Sequence, residues 1–139
     1  MSPSGFEIEL DTGRDIITVR YFGPLTLTLA QRAVEAAARR PGVSPTTAVL
    51  LDTTRAQVHE IDIDWLRRYQ AYKDANGYPS QTTALVVSRD EGHQLLGHLW
   101  SAIRADSSRQ APGVFTDPAA AIEWPQENRS SPRSMTASA

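Results

Sequence analysis

The segment AVLLDTTRA, residues 48–56, passes directly from four apolar residues into four polar ones, Asp52, Thr53, Thr54 and Arg55. The arginine could hold an anionic ligand or pair with a nearby acid, and all four side chains could contact a ligand or partner through hydrogen bonds. Asp and Thr also end buried strands and form turns, and we favour those roles for Asp52 and Thr53. For Arg55 we favour a solvated or ion-paired surface position. All four residues are candidates for ligand or partner binding.

Two further polar groups follow apolar segments of the same kind. Ser88, Arg89 and Asp90 come after the segment ALVV, and Thr116 and Asp117 come after GVF. Because ligands gather beyond the carboxyl ends of parallel strands, we expect the three groups to lie along one edge of a sheet. Capping and turn roles are favoured for Ser88, Asp90 and Asp117, and Arg89 is a candidate for ligand or partner binding.

The histidines do not form a metal-binding pattern. His93 and His98 would point about 140° apart around a helix, so they cannot chelate one ion from the same face. His93, Gly97, Trp100 and Arg104 cluster to one side of the same helix, where a notch at Gly97 could receive a small ligand or a partner side chain. We favour close packing of a neighbouring element at Gly97, and keep His93 and Trp100 as binding candidates.

The segment HEIDID places His59 beside Glu60, Asp62 and Asp64. A solvated acidic loop before a helix N-terminus is favoured there over a divalent metal site. The sequence contains no P-loop, dinucleotide-binding fingerprint, nucleophile elbow or zinc-protease motif. We therefore predict no metal, no cofactor and no catalytic residue.

Hydrophobic periodicity predicts the elements that position these residues. Residues 6–11 and 15–23 are expected to form an antiparallel hairpin, followed by helices that alternate with buried strands. The order β-β-α-β-α-β-α-β-α predicts an α/β fold with a mixed, mostly parallel sheet of about five strands, about four helices and an antiparallel first strand. The single domain is expected to span residues 1–124, and the polar, Ser/Pro-rich residues 125–139 are expected to form a disordered tail.

Capping side chains predict where the helices begin. Thr28, followed by Gln31, is the expected N-cap of the first helix, and Asp62 is that of the second. Ser88 and Glu91 form a capping box for the third helix. The buried face of that helix is predicted to contain Gly92, Leu95, Leu96, Leu99 and Ile103.

Composition excludes several classes of function. The chain has 139 residues, a net charge of −2 and no cysteine. Without a basic field it is not expected to bind nucleic acid, and without cysteine it has no disulfide or thiolate site. No apolar stretch approaches the roughly 20 residues of a membrane helix, and no signal peptide is expected. These features are typical of a cytoplasmic protein.

Four segments carry a resemblance to a known family: VRYFGPLT, AVLLDTTR, ALVVS and GVFTDPAAAIEW, which together span about residues 6–124. In this order they resemble the SpoIIAA-like family, which shares the STAS fold of anti-sigma-factor antagonists and is grouped with SEC14-type lipid carriers. The resemblance implies a STAS-like domain of bacterial origin with a binding or regulatory role. The antagonists carry a phosphorylatable serine after an Asp, whereas Ile63 follows Asp62 here, and this departure argues against a phospho-switch copied from them. Thr53 and Thr54 lie upstream and could serve instead, although the family pattern does not point to them.

We therefore predict a non-enzymatic module that recognises another protein through the exposed part of the second helix and the loop before it. Such a module should expose an apolar patch near Trp65 and Tyr69 and have no deep pocket, and it could form a homodimer.

Two alternatives stay open. A carrier of an apolar or anionic small molecule should enclose a cavity lined by Tyr69, Tyr72, Leu96 and Trp100. A small hydrolase or isomerase should bring Asp52, Arg55 and His93 together in one cleft.

Overall fold

A computed structural model describes residues 4–78, 82–106 and 113–128 of the chain. Strands β1 (Gly5–Asp11) and β2 (Ile16–Pro24) form the predicted antiparallel hairpin at one edge of a five-stranded sheet. Strands β3 (Ala48–Gln57), β4 (Thr83–Val86) and β5 (Gly113–Phe115) then pair in parallel, in the order β1-β2-β3-β4-β5. The predicted α/β fold is confirmed.

Four helices cover the sheet. Helices α1 (Leu27–Ala38), α2 (Ile63–Ala75) and α3 (Glu91–Asp106) pack side by side on one face. Helix α4 (Pro118–Asn128) packs on β3, β4 and β5 from the opposite face. Right-handed crossovers between parallel strands in sequential order place all three connecting helices on the same face of the sheet. Because each helix follows the strand before it, the amino-terminal ends of α1, α2 and α3 lie at the carboxyl edge of the sheet.

The alternation of side chains along the strands divides the core in two. Ile17 belongs to the larger cluster beneath α1, α2 and α3, whereas its neighbour Ile16 belongs to the smaller cluster beneath α4. Helix α1 buries Ala30, Ala33 and Ala37 against the sheet. These small side chains have helical spacing, so the predicted alanine stripe is confirmed as the buried face of this helix.

Two of the predicted helix starts are wrong. Thr26, not Thr28, caps α1, and its side chain accepts a hydrogen bond of 3.1 Å from the backbone N–H of Leu29. Asp90, not Ser88, caps α3, because its carboxylate lies next to the first helical residue and accepts a bond of 2.9 Å from the backbone N–H of His93. The Ser88 hydroxyl contacts Asp90 instead.

The predicted buried face of α3 is partly wrong. Leu96 and Ile103 are buried, and Leu99 packs partly buried against the core. Gly92 is exposed, and the side chain of Leu95 is 55% exposed. The face is rotated because it centres on Trp100, whose position relative to Leu96 and Ile103 follows the i, i+4, i+7 spacing of a helix.

The predicted boundary at residue 124 falls inside α4, which continues to Asn128. Pro125 is almost fully buried there and belongs to the packed domain. The rest of the expected tail, residues 129–139, lies outside the described residues. None of the helices in the described ranges is long and apolar enough to cross a membrane.

Candidate binding site at the carboxyl edge of the sheet

A bulge at the end of β3 determines which of the four polar residues face outward. Arg20 pairs with Asp52 and Phe22 pairs with Arg55, so two residues of β3 lie opposite the single residue between them in β2. The first of the two, Thr53, is buried and its hydroxyl donates a bond of 2.8 Å to the carbonyl of Val86. The bulge therefore leaves Thr54 and Arg55 exposed and Asp52 half-buried, while Thr53 ties β3 to β4.

Asp52 lies inside β3 and accepts hydrogen bonds from a residue two positions along the same strand, rather than capping a helix or forming a turn between elements. Its carboxylate accepts bonds of 2.9 Å from the backbone N–H of Thr54 and 2.7 Å from the hydroxyl of Thr54. The Thr54 side chain and Arg55 are exposed. Of the two threonines considered as substitutes for a family phosphorylation site, Thr54 is exposed with its hydroxyl bonded to Asp52, whereas Thr53 is buried with its hydroxyl bonded to Val86.

His93 joins α3 to the strand next to it. Its side chain is buried on the first turn of α3. Ring atom Nδ1 lies 2.9 Å from the Asp90 carboxylate, and Nε2 lies 2.9 Å from the backbone carbonyl oxygen of Thr53. A carbonyl oxygen only accepts and an ionised carboxylate only accepts, so the ring satisfies both neighbours when both nitrogens carry hydrogen.

Asp90 is the acceptor that organises this corner. A hydrogen bond from the Ser88 hydroxyl, followed by those from the backbone and ring of His93, holds the pKa of Asp90 well below its usual range. The carboxylate is therefore ionised at neutral pH and caps α3 with a full negative charge. The capping role predicted for Asp90 is confirmed, whereas no sequence pattern indicates its contact with His93.

An open groove of about 500 Å³ lies in front of this corner. Its wall brings together two of the three polar groups expected at this edge, because residues in the last part of β3 and residues after β4 both line it. The principal polar residues of the wall are Thr54, Arg55, His59, Ser88, Asp90 and His93. Asp117 of the third group caps α4, where it accepts a bond of 3.1 Å from the backbone N–H of Ala119.

The enzyme alternative required Asp52, Arg55 and His93 to share one cleft. Asp52 and Arg55 line a separate groove of about 380 Å³ beside Arg20 and Phe22. His93 lines the larger groove with Arg55, and both of its ring nitrogens are already engaged. Neither of these two grooves, which the described residues form, is lined by all three side chains. Nor do these residues contain a cluster of three His, Asp or Glu side chains that could hold a metal ion.

The aromatic candidates lie mostly inside the molecule. Tyr69 and Trp100 are buried, with their ring centroids 6.5 Å apart, and Trp65 is half-buried beside Tyr69. The apolar patch expected around Trp65 and Tyr69 is therefore not centred on Tyr69. Large apolar side chains are exposed at Ile63, the first residue of α2, and at Leu95 in α3. Neither residue was among the site candidates. The signal that could have identified them is their position in the first two turns after the caps Asp62 and Asp90.

Two small cavities lie beneath α2, with volumes of about 50 and 30 Å³. Tyr69 and Trp100 border both of them, and Leu96 borders the second, as expected for a carrier. Tyr72 borders neither; its ring packs 6.2 Å from that of Tyr78. The remaining candidate, Arg89, is exposed on the turn between β4 and α3.

Gly97 has the packing role that we favoured. A Cβ atom at this position would lie 2.9 Å from Cγ1 of Val114, so the glycine allows β5 to approach α3 closely. The notch expected at Gly97 is therefore filled by a side chain of the same molecule.

Among solved structures, the chain is similar to an uncharacterised protein from the DUF3478 family with a SpoIIAA-like fold from Shewanella loihica PV-4. The TM-score is 0.56 with 14% sequence identity, over 89% of this chain and 96% of that chain. No protein-family model matches the sequence, and no curated protein matches it. The similarity shows that the chain has a SpoIIAA-like fold, as the resemblance implied.

Proposed function

We propose that this protein is a non-enzymatic module that binds another protein at the carboxyl edge of its sheet and acts as a regulator in a bacterial cytoplasm. The observation that carries the proposal is the combination of exposed apolar side chains and an open polar groove at one edge. Ile63 is 41% exposed and Leu95 is 55% exposed, and both lie within the first two turns of their helices. A buried apolar anchor surrounded by polar contacts is the arrangement that most protein interfaces use.

The charges around Ile63 indicate the kind of partner. Glu60, Asp62 and Asp64 are all exposed within five residues of one another. Asp62 caps α2 by accepting a bond of 2.8 Å from the backbone N–H of Trp65, and Asp64 pairs with Arg68 on the same helix. We expect the partner to place an apolar side chain against Ile63 and basic residues beside it, since complementary charge favours encounter and register.

Site-specific photocrosslinking tests this proposal. A benzoylphenylalanine residue is introduced in place of Ile63, and in a second protein in place of Glu123, which is exposed on α4 across the sheet. Both proteins are irradiated in living bacterial cells that express them at a natural level. We expect a discrete adduct with one partner from position 63 and none of the same mass from position 123.

Competition separates a real interface from chance proximity. An unlabelled Ile63→Asp variant should compete for the adduct far less well than the unlabelled wild-type chain, because a buried anchor has become a charge. A Glu123→Lys variant should compete as well as the wild type. The proposal is wrong if position 63 gives the same adducts as position 123, or if Ile63→Asp competes fully.

A further inference from the structure

The interior beneath α2 holds two adjoining cavities rather than a filled core. They have volumes of about 50 and 30 Å³, and they share the walls formed by Tyr21, Leu51, Tyr69 and Trp100. Protein interiors are normally packed with few voids larger than a water molecule. Two neighbouring voids bordered by the same three aromatic rings are therefore an unusual feature of this core.

Two hydrogen-bond donors at these cavities have no partner within the described part of the chain. The indole Nε1 atoms of Trp65 and Trp100 are both inaccessible to solvent and unpaired. Trp100 itself is only 3% exposed and borders both cavities, and Trp65 borders the second. An indole N–H can only donate, and burying it without an acceptor costs free energy. The interior therefore favours an occupant that brings an acceptor.

Positive charge lies next to the same rings. The Nζ atom of Lys73 is 4.9 Å from the centre of the Tyr69 ring and 5.9 Å from that of Trp100. The guanidinium carbon of Arg104 is 5.8 Å from the centre of the Trp100 ring, and this arginine is almost completely buried. No Asp or Glu occurs among the described residues that line either cavity. An anionic acceptor is therefore favoured over a neutral or cationic one.

Size restricts the occupant to a small molecule. An engineered apolar cavity of about 150 Å³ binds benzene, so the two cavities here must merge and nearly double their combined volume to admit a six-membered ring. Trp65 and Lys73 are half-buried on α2, so these side chains can move without unfolding the core. A molecule of two or more rings would have to displace Tyr69 or Trp100, which are both buried.

From these four features we propose that the interior beneath α2 binds a small monocyclic carboxylate, with its ring between the aromatic walls and its carboxylate toward Lys73 and the indole N–H of Trp100. This site is separate from the protein-binding surface proposed above. Neither proposal depends on the other, because the interface experiment reads out position 63 and the interior experiment reads out the indole groups.

Benzoate is the probe, and the indole N–H resonances of the full chain in ¹H–¹⁵N NMR spectra report binding. The protein has three tryptophans, and the third, Trp124, packs against Phe115 on the opposite face of the sheet. Assignment uses Trp→Phe variants. We expect benzoate to shift the Trp65 and Trp100 resonances with a saturable dependence on concentration, while the Trp124 resonance stays in place.

A matched pair of variants tests the role of charge. Lys73→Met should weaken benzoate binding about fivefold or more, because a charged hydrogen bond to the carboxylate is lost. Arg67→Met removes a positive charge from an exposed position on the same helix and should leave the affinity unchanged. Trp100→Phe should also weaken binding, since it removes the donor and keeps an aromatic wall.

Three results would overturn the proposal. The first is the absence of a saturable shift at the Trp65 and Trp100 resonances. Magnetisation transfer from water to these N–H groups would then show that the cavities hold only water. The second is a shift of equal size at Trp124, which would indicate nonspecific association. The third is an equal effect of Lys73→Met and Arg67→Met on affinity.

Discussion

His93 is the residue through which the candidate site and the fold depend on each other. One ring nitrogen reaches the Asp90 carboxylate and the other reaches the backbone carbonyl of Thr53, 40 residues earlier in the chain. The side chain therefore fixes the start of α3 against the bulged end of β3. The groove that contains Arg55 and Asp90 owes its shape to this connection.

Replacing His93 should destabilise the protein. We expect His93→Ala to lower the free energy of unfolding by about 2–3 kcal/mol, because two hydrogen bonds are lost and a buried carbonyl is left without its donor. His98→Ala, at an exposed position on the same helix, should change it by less than about 0.5 kcal/mol. Urea denaturation at neutral pH measures both values. Equal stability of the two variants would show that the histidine contacts contribute nothing.

Asp90 should make the free energy of unfolding depend on pH in the acidic range. Its pKa is lowered by the bonds from Ser88 and His93, so its contribution is present above the unfolded-state pKa of about 4 and is lost as the pH falls below that value. Asp90→Asn should therefore be less stable than the wild type at pH 7, and the difference should shrink between pH 4 and pH 3. A difference that stays constant over this range would contradict the prediction.

At the scale of the elements, α3 and β5 fit together because Gly97 has no side chain. A Cβ atom there would meet Cγ1 of Val114, which is a short and stiff β-branched side chain. The mid-helix glycine costs α3 about 1 kcal/mol of helix propensity, which the close approach of β5 offsets. This is a packing reason for a residue that the sequence could also associate with a ligand notch.

Gly97→Ala should destabilise the protein by about 1–2 kcal/mol, because overpacking outweighs the gain in helix propensity. The double variant Gly97→Ala, Val114→Ala should recover most of that loss, since the smaller side chain restores the space. Thermal unfolding of the two variants and of Val114→Ala alone measures the coupling. If Gly97→Ala alone raises the melting temperature, the close approach of α3 and β5 is not required.

Structural features that depend on neighbouring residues are predictable from the sequence. Asp62 was correctly identified as the cap of α2, because a cap depends on atoms within three residues. The prediction of Thr28 as the cap of α1 is wrong, since Thr26, two residues earlier, offers the same local chemistry and holds that position. The sequence leaves open whether the residues after Thr53 extend the third strand, because the bulge that continues β3 to Gln57 arises from pairing with β2.

Contacts between distant elements were beyond local reasoning. No pattern near His93 indicates that its ring would reach the carbonyl of Thr53. Likewise, helical spacing places Trp100 to one side of the predicted buried face of α3, and it cannot decide whether Tyr69 joins a core or an exposed patch. Both side chains are buried. The depth at which a residue lies depends on how three helices share one face of the sheet.

At the scale of the whole molecule, the two faces of the sheet have different roles. The face beneath α4 is packed with small and branched side chains such as Ala48, Ala84 and Val86. The face beneath α1, α2 and α3 contains two buried tyrosines together with the tryptophan-lined cavities. The larger core is thus both the principal source of stability and the location of the proposed ligand site.

The buried tyrosines should make the whole molecule sensitive to alkali. Burial raises the pKa of Tyr69 to about 12, although the charge of Arg104 partly opposes the shift, and burial followed by the proximity of Tyr69 raises the pKa of Tyr21 well above 10. In the unfolded chain both phenols ionise near pH 10. The unfolded state therefore releases the phenol protons first as the pH rises. The contribution of the two phenols to the free energy of unfolding is fully present below pH 10 and is lost between pH 10 and pH 12.

We expect Tyr69 to contribute about 2 kcal/mol to the fall in unfolding free energy between pH 10 and pH 12. Urea denaturation at a series of pH values measures this fall, and absorbance at 295 nm follows phenol ionisation directly. Tyr69→Phe should lower stability little at pH 8 and should make the alkaline fall shallower, and Tyr21→Phe in the same chain should flatten it further. If the double variant loses stability above pH 10 as steeply as the wild type, the two phenols are not the groups that limit stability in alkali. Ionisation of other groups must then cause the fall in unfolding free energy.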